Sequence, residues 1–308
     1  MYVPELYDIL EGDHANRPTE AALPLLEIIR MVYDSPVLKP VMPYKPNALN
    51  SARVRDALEG GRPAEIRRLA ALWWPAAGSK IPVDLALKIQ ELMWLAILLL
   101  VGTSKPGHKP RLDFFLMHIL TMSTFLPSVI GLISREDLKE RLLRAMLPVV
   151  LMTIEVRGRP RIDPVLCMNY TVTPLPPVLA DTRLPKPNEA AIGDPRKGEW
   201  ASTWPAIIGS VVHAPDAHTV KVIRMLAFAA REYGTTGPGE VPGAFCTSGN
   251  RREEETHVGM SKVDGSLFVR AAGVVMDAMG WVSHGQAAGW WDSTALGWDD
   301  AWKNEDEK

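Results

Sequence analysis

From Phe114 to Ile133 the chain runs for twenty residues without a formal charge. That is the length of a bilayer-spanning helix, and equally what the centre of a large helical domain requires. His118, Thr121, Ser123, Thr124 and Pro127 interrupt the run, Arg111 and Asp113 precede it by one turn, and no aromatic belt marks its far end. A core helix is therefore the reading adopted. A second apolar block, Pro82 to Val101, is amphipathic in its first half and apolar all round over its last ten residues, a pattern that marks burial.

The remaining periodicity is also helical. Apolar residues recur at spacings of three and four over 23–33, and the run stops before Ser35-Pro36. Further helices are expected over 48–58, ended by Gly60-Gly61, over 64–74, ended by Pro75, and over 136–155, 217–233 and 265–281. Residues 157–199 lose the pattern and read as an irregular Pro-rich crossing, 247–264 as a polar mobile loop, and 304–308 as a charged tail. The expected fold class is all-α, with little or no β structure. The expected organisation is one helical domain over 1–303.

Composition narrows the partners. Lys plus Arg number 34 against 36 Asp plus Glu, spread singly or in pairs, so the basic stripe of a nucleic-acid binder is missing. Cys167 and Cys246 lie far apart and outside any C-x-x-C motif, as suits a reducing compartment. The first residues resemble neither a secretory signal nor a transit peptide, and a cytoplasmic location without membrane partners is expected. Oligomeric state is not legible.

Common catalytic motifs fail in turn. There is no G-x-x-x-x-G-K-[ST], G-x-S-x-G or H-E-x-x-H, and Gly237-Pro-Gly-Glu-Val-Pro-Gly243 has the wrong spacing for a dinucleotide fingerprint. Histidine placement is what remains. His118, mid-helix in an apolar run, is either a hydrogen-bonded structural residue or a metal ligand. His213, Asp216 and His218 lie within six residues, with Lys221 and Arg224 continuing the His218 face. That grouping suits a His and carboxylate metal site, or a helix whose first turn is capped by Asp216 and whose Lys221 and Arg224 are solvated. His108 sits in a proline-bounded turn.

Three segments together resemble the questin oxidase family of fungal polyketide-pathway oxidases: Lys105-Pro-Gly-His-Lys-Pro-Arg-Leu-Asp-Phe-Phe-Leu-Met-His118 with its continuation to Pro127, the helix opening at Asp216-Ala-His-Thr-Val-Lys221, and Gly297-Trp-Asp-Asp-Ala-Trp302. The resemblance implies a mostly helical monooxygenase that uses NADPH and O2 as cosubstrates. The implied reaction is Baeyer-Villiger-type ring cleavage of an anthraquinone or related aromatic polyketide in secondary metabolism. It also implies a non-haem iron centre with His118, His218 and Lys221 as metal ligands, while NADPH has no legible nucleotide motif of its own. Family members carry further histidines in an N-terminal part for which no counterpart is found after Met1, and His14 in Glu11-Gly-Asp-His-Ala-Asn16 resembles neither of their motifs. Two expectations follow: the oxidase itself, or a non-catalytic polyketide-binding accessory protein derived from it by loss of those ligands.

Overall fold

Leu92 to Leu100 are buried without interruption, so the fold organises around this segment. The computed structural model describes residues 21–40, 42–76, 79–177, 203–247 and 253–303. Among them are ten α-helices: α1 Leu25–Asp34, α2 Asn50–Ala57, α3 Arg62–Ala71, α4 Leu85–Val101, α5 Phe114–Leu132, α6 Glu136–Val156, α7 Pro164–Met168, α8 Trp204–Val211, α9 Ala217–Tyr233 and α10 Leu267–Met279. No strand forms among the described residues, only the isolated bridges Asp113 with Asp292 and Phe245 with Glu255. The all-α class is the observed one.

Helix α4 is the centrepiece because nothing polar past Glu91 obliges it to face water. It starts on Asp84, whose side chain accepts from the Leu87 N–H, and packs against α1, α5, α7 and α10. Its two charges near the start are used internally. Glu91 accepts from the Leu25 N–H at 3.2 Å, from Trp73 Nε1 at 2.6 Å and from Lys88 Nζ at 3.0 Å. Past Ala71 the backbone tightens, the Leu72, Trp73 and Trp74 N–H groups bonding to the Leu69, Ala70 and Ala71 carbonyls, so α3 ends at Ala71 and not at the Trp74 boundary that Pro75 suggested. Trp73 and Trp74 then meet edge to face at 5.3 Å.

Helix α5 departs from the expectation of burial throughout. Its first half packs on α4, whereas Phe125, Val129 and Leu132 on its second half are exposed. It is the one described helix long and apolar enough to cross a membrane. The short helices α7 and α8 were not anticipated. Each opens with a proline in its first turn, and five to eight residues give too few turns for periodicity to register. Helix α7 falls inside the expected irregular crossing, of which 178–199 lie outside the described residues.

Candidate functional site

The start of α5 is fixed by charge. Asp113 caps the helix, its Oδ1 accepting from the Phe115 and Leu116 N–H groups at 2.9 and 3.2 Å. Its Oδ2 accepts from Arg157 Nε at 2.8 Å in an ion pair buried on both sides. Arg111 donates to Asp292 Oδ2 through Nε at 2.9 Å and Nη2 at 2.6 Å, and its guanidinium stacks on Trp302 at 5.0 Å. The Phe114 N–H donates to the Asp292 carbonyl at 2.8 Å, and His108 lies against Trp302 at 5.3 Å. Lys105 pairs with Asp299. The first and third segments singled out in the sequence are thus one packed unit that aims the opening turn of α5.

The second segment meets that turn. His118 and His218 stand with ring centroids 5.3 Å apart, and Phe114 touches both, at 4.6 Å from His118 and 5.2 Å from His218. The chain brings together on α5 and α9 two imidazoles separated by a hundred residues. His118 is exposed rather than buried as its apolar surroundings suggested, because it lies on the solvent side of α5.

Hydrogen bonding fixes both tautomers. His118 Nδ1 lies 2.7 Å from the Phe114 carbonyl, and His218 Nδ1 lies 2.8 Å from Asp216 Oδ1. A carbonyl and a carboxylate only accept, so each Nδ1 carries a proton, and the neutral form of either ring has its lone pair on Nε2. Asp216 Oδ1 also accepts from the His218 backbone N–H at 2.8 Å as the cap of α9. Partial burial pushes the Asp216 carboxyl up, but these hydrogen bonds, with the charges of His218 and Lys221, outweigh it and hold the group below the usual carboxylate range.

Lys221 is exposed one turn beyond His218, with Arg224 exposed after it, and His213 is exposed before the helix. The capping and solvated-face alternative therefore describes Asp216, Lys221 and Arg224 as they stand, while His218 also faces a second imidazole. An iron centre was implied with His118, His218 and Lys221. The two Nε2 atoms suit a metal, since each Nδ1 is held by an acceptor as ligating histidines usually are. Among the described residues, however, no group of three His, Cys, Asp or Glu donors forms. Two imidazoles beside an exposed ammonium fall short of the three-ligand iron site of His and carboxylate. The described residues do not fit such a centre on their own. His14 lies outside them.

Sequence reasoning missed Phe114, Arg157 and Asp292. Asp113 directly before Phe114 is a legible cap, but its ion-pair partner is 44 residues away, and Asp292 lies 181 residues from Arg111. Cys167 is no candidate nucleophile, since burial pushes its thiol up to about 12.

None of the curated proteins matches the chain at a significant level. The family model described as Questin oxidase-like matches residues 6–226, a span that contains both histidines of the pair. The chain belongs to the questin oxidase-like family.

Proposed function

We propose that this protein is an NADPH- and O2-dependent oxidase of aromatic polyketide metabolism, acting on an anthraquinone-like substrate where α5 meets α9. The family carries the general oxidase reading. The observation that supports this position is the pair of imidazoles 5.3 Å apart, each with its Nδ1 committed and no partner for its Nε2 among the described residues. The balanced reaction is Baeyer-Villiger-type: a ring carbonyl, O2, NADPH and a proton give the ring-expanded ester, NADP⁺ and water, and hydrolysis of that ester opens the ring.

The residues act on protons and position. His218 Nε2 accepts the proton of a phenolic hydroxyl, and Asp216, holding Nδ1–H, keeps the ring oriented and stabilises the imidazolium that results. His118 Nε2 is a second acceptor for a neighbouring hydroxyl. Phe114 offers an apolar surface beside both rings, and Lys221 adds positive charge next to the phenolate. No step is assigned to iron.

The test is NADPH-dependent O2 uptake with hydroxyanthraquinones. His218→Ala should lower the rate by about 10²- to 10⁴-fold, the range for loss of a general base; unchanged uptake in that variant rejects the position. Iron measured on wild type, His118→Ala and His218→Ala should be the same in all three. A second reading, a polyketide-binding accessory protein, is favoured by a donor set that stops at two imidazoles among the described residues. Tight binding of a hydroxyanthraquinone with no NADPH-dependent uptake selects it.

A further inference from the structure

His257 is buried, 8% exposed, and neither of its ring nitrogens has a hydrogen-bond partner among the described residues. Almost every buried polar side-chain group in a protein is satisfied, so an imidazole without partners is worth explaining. It lies in the segment 253–263, which folds back on α1. Arg30 of α1 donates from Nη1 to the Glu255 carbonyl and from Nη2 to Glu254 Oε1, both at 2.9 Å. The Tyr33 ring meets His257 edge to face at 5.8 Å, and Tyr33 is held by its own hydroxyl, which donates to the Pro160 carbonyl at 2.8 Å. Arg161 from the Pro-rich crossing stacks over the Tyr33 ring at 5.2 Å.

The charged groups around His257 come from three elements. Helix α1 supplies Arg30 and Asp34, the crossing supplies Arg161 and Asp163, and the segment itself supplies Glu254, Glu255 and Lys262. Three of the four carboxylates are engaged elsewhere. Glu254 pairs with Arg30, Glu255 accepts from the Gly259 and Ser261 N–H groups at 2.9 and 2.7 Å, and Asp163 caps α7. None bonds to His257, and the charges that act on its ring are the guanidinium groups of Arg30 and Arg161.

We propose that His257 is an acid-sensitive latch: neutral, it packs as an apolar ring that holds segment 253–263 on α1, and protonated, it has no acceptor and releases that segment. An imidazolium packed edge to face on Tyr33, with the Arg30 and Arg161 guanidinium groups acting on it and no partner for its ring nitrogens among the described residues, must either shed its proton or leave. Burial first, then Arg30 and Arg161, push the folded ring down to about 4 from the ordinary 6.5. The sign follows. A basic group depressed by folding favours the closed state fully above 6.5, and the advantage disappears as pH falls from 6.5 toward 4. Opening should become about tenfold easier per pH unit, roughly 300-fold in all. The segment also forms one side of a cleft of about 690 Å³ that includes Tyr33, Arg161, Val165 and Val258, so its release widens that cleft.

Amide hydrogen exchange, corrected for the intrinsic pH dependence, reads this directly at Thr256 and Met260, whose N–H groups bond to the Ala244 and His257 carbonyls. Protection at both should fall about 15-fold between pH 6.5 and 5.0 while amides of α4 stay protected. In His257→Phe, which keeps a ring against Tyr33 and cannot titrate, the fall should vanish. Flat protection in wild type, or the same fall in the variant, overturns the latch. Should the variant not fold, titration of the His257 ring by NMR in the wild type decides: a midpoint well below 6.5 accompanied by lost protection supports it, and an ordinary midpoint overturns it.

Discussion

Asp216 serves two ends with one oxygen: Oδ1 accepts both the backbone N–H that begins α9 and the ring N–H of His218. The two can be separated. Asp216→Ala should cost about 1 kcal/mol in urea unfolding through the lost cap, and lower O2 uptake besides. Asp216→Asn keeps a capping oxygen, so its stability should stay near wild type while uptake falls, because a neutral amide stabilises an imidazolium poorly. Glu91 is the structural counterpart, a buried carboxylate serving a backbone N–H, an indole and an ammonium together. Its replacement by Ala strands Lys88, which is itself buried and lies 5.1 Å from the Trp73 ring. Breaking a buried pair by removing one partner costs about 3 to 5 kcal/mol, and Glu91→Ala should lose that much in denaturant unfolding. Spacing drew attention to His118, His218 and Lys221 but could not predict their surroundings. An exposed imidazole and a buried one look identical in sequence, since burial depends on what other helices cover.

Among the elements, α4 and α5 are both strongly apolar and have different fates. Helix α4 is covered on all sides from Leu92 to Val101, whereas α5 runs past its neighbours and exposes Phe125, Val129 and Leu132. Leu132→Ser should therefore change stability by less than about 0.5 kcal/mol, the range of ordinary surface substitutions, and Leu98→Ser should unfold the protein or nearly so; thermal melts of both check the contrast. The close approach of 157–158 to 297–298 is equally specific. Gly158 has φ of 84°, and a Cβ there would come within 2.3 Å of the Trp298 ring. Gly158→Ala combines a strained backbone with that clash and should lower the melting temperature measurably. The long helices were legible because periodicity accumulates over several turns. Helices α7 and α8 were too short for periodicity to register, and the end of α3 lies before the Pro75 signal because its last residues tighten into three-residue turns that carry no sequence signature.

At the scale of the molecule, buried titratable groups tie stability to pH. Burial pushes Glu155 up to about 7 from 4.5, against the pull of Arg62 at 3.7 Å. A carboxyl raised by folding binds its proton more tightly in the folded state. Stability from this group is thus greatest below 4.5 and declines as pH rises to about 7, by about 3 kcal/mol in all. Urea titrations of Glu155→Gln beside wild type should show this decline removed over that window and unaltered outside it. His257 acts with the opposite sign, so each variant has to be compared with wild type and not with the other. The helical class, the long helices and the residues worth testing as a site were determined by the sequence alone, since hydrophobic period, capping chemistry and residue type are properties of neighbours along the chain. Tertiary structure alone decided that His118 and His218 face each other, that Arg157 and Asp292 brace the turn beneath them, and that the His257 ring packs on Tyr33 with no hydrogen-bond partner among the described residues. Those are relations between segments tens to hundreds of residues apart, and only the packing of the helices around α4 specifies which of them meet.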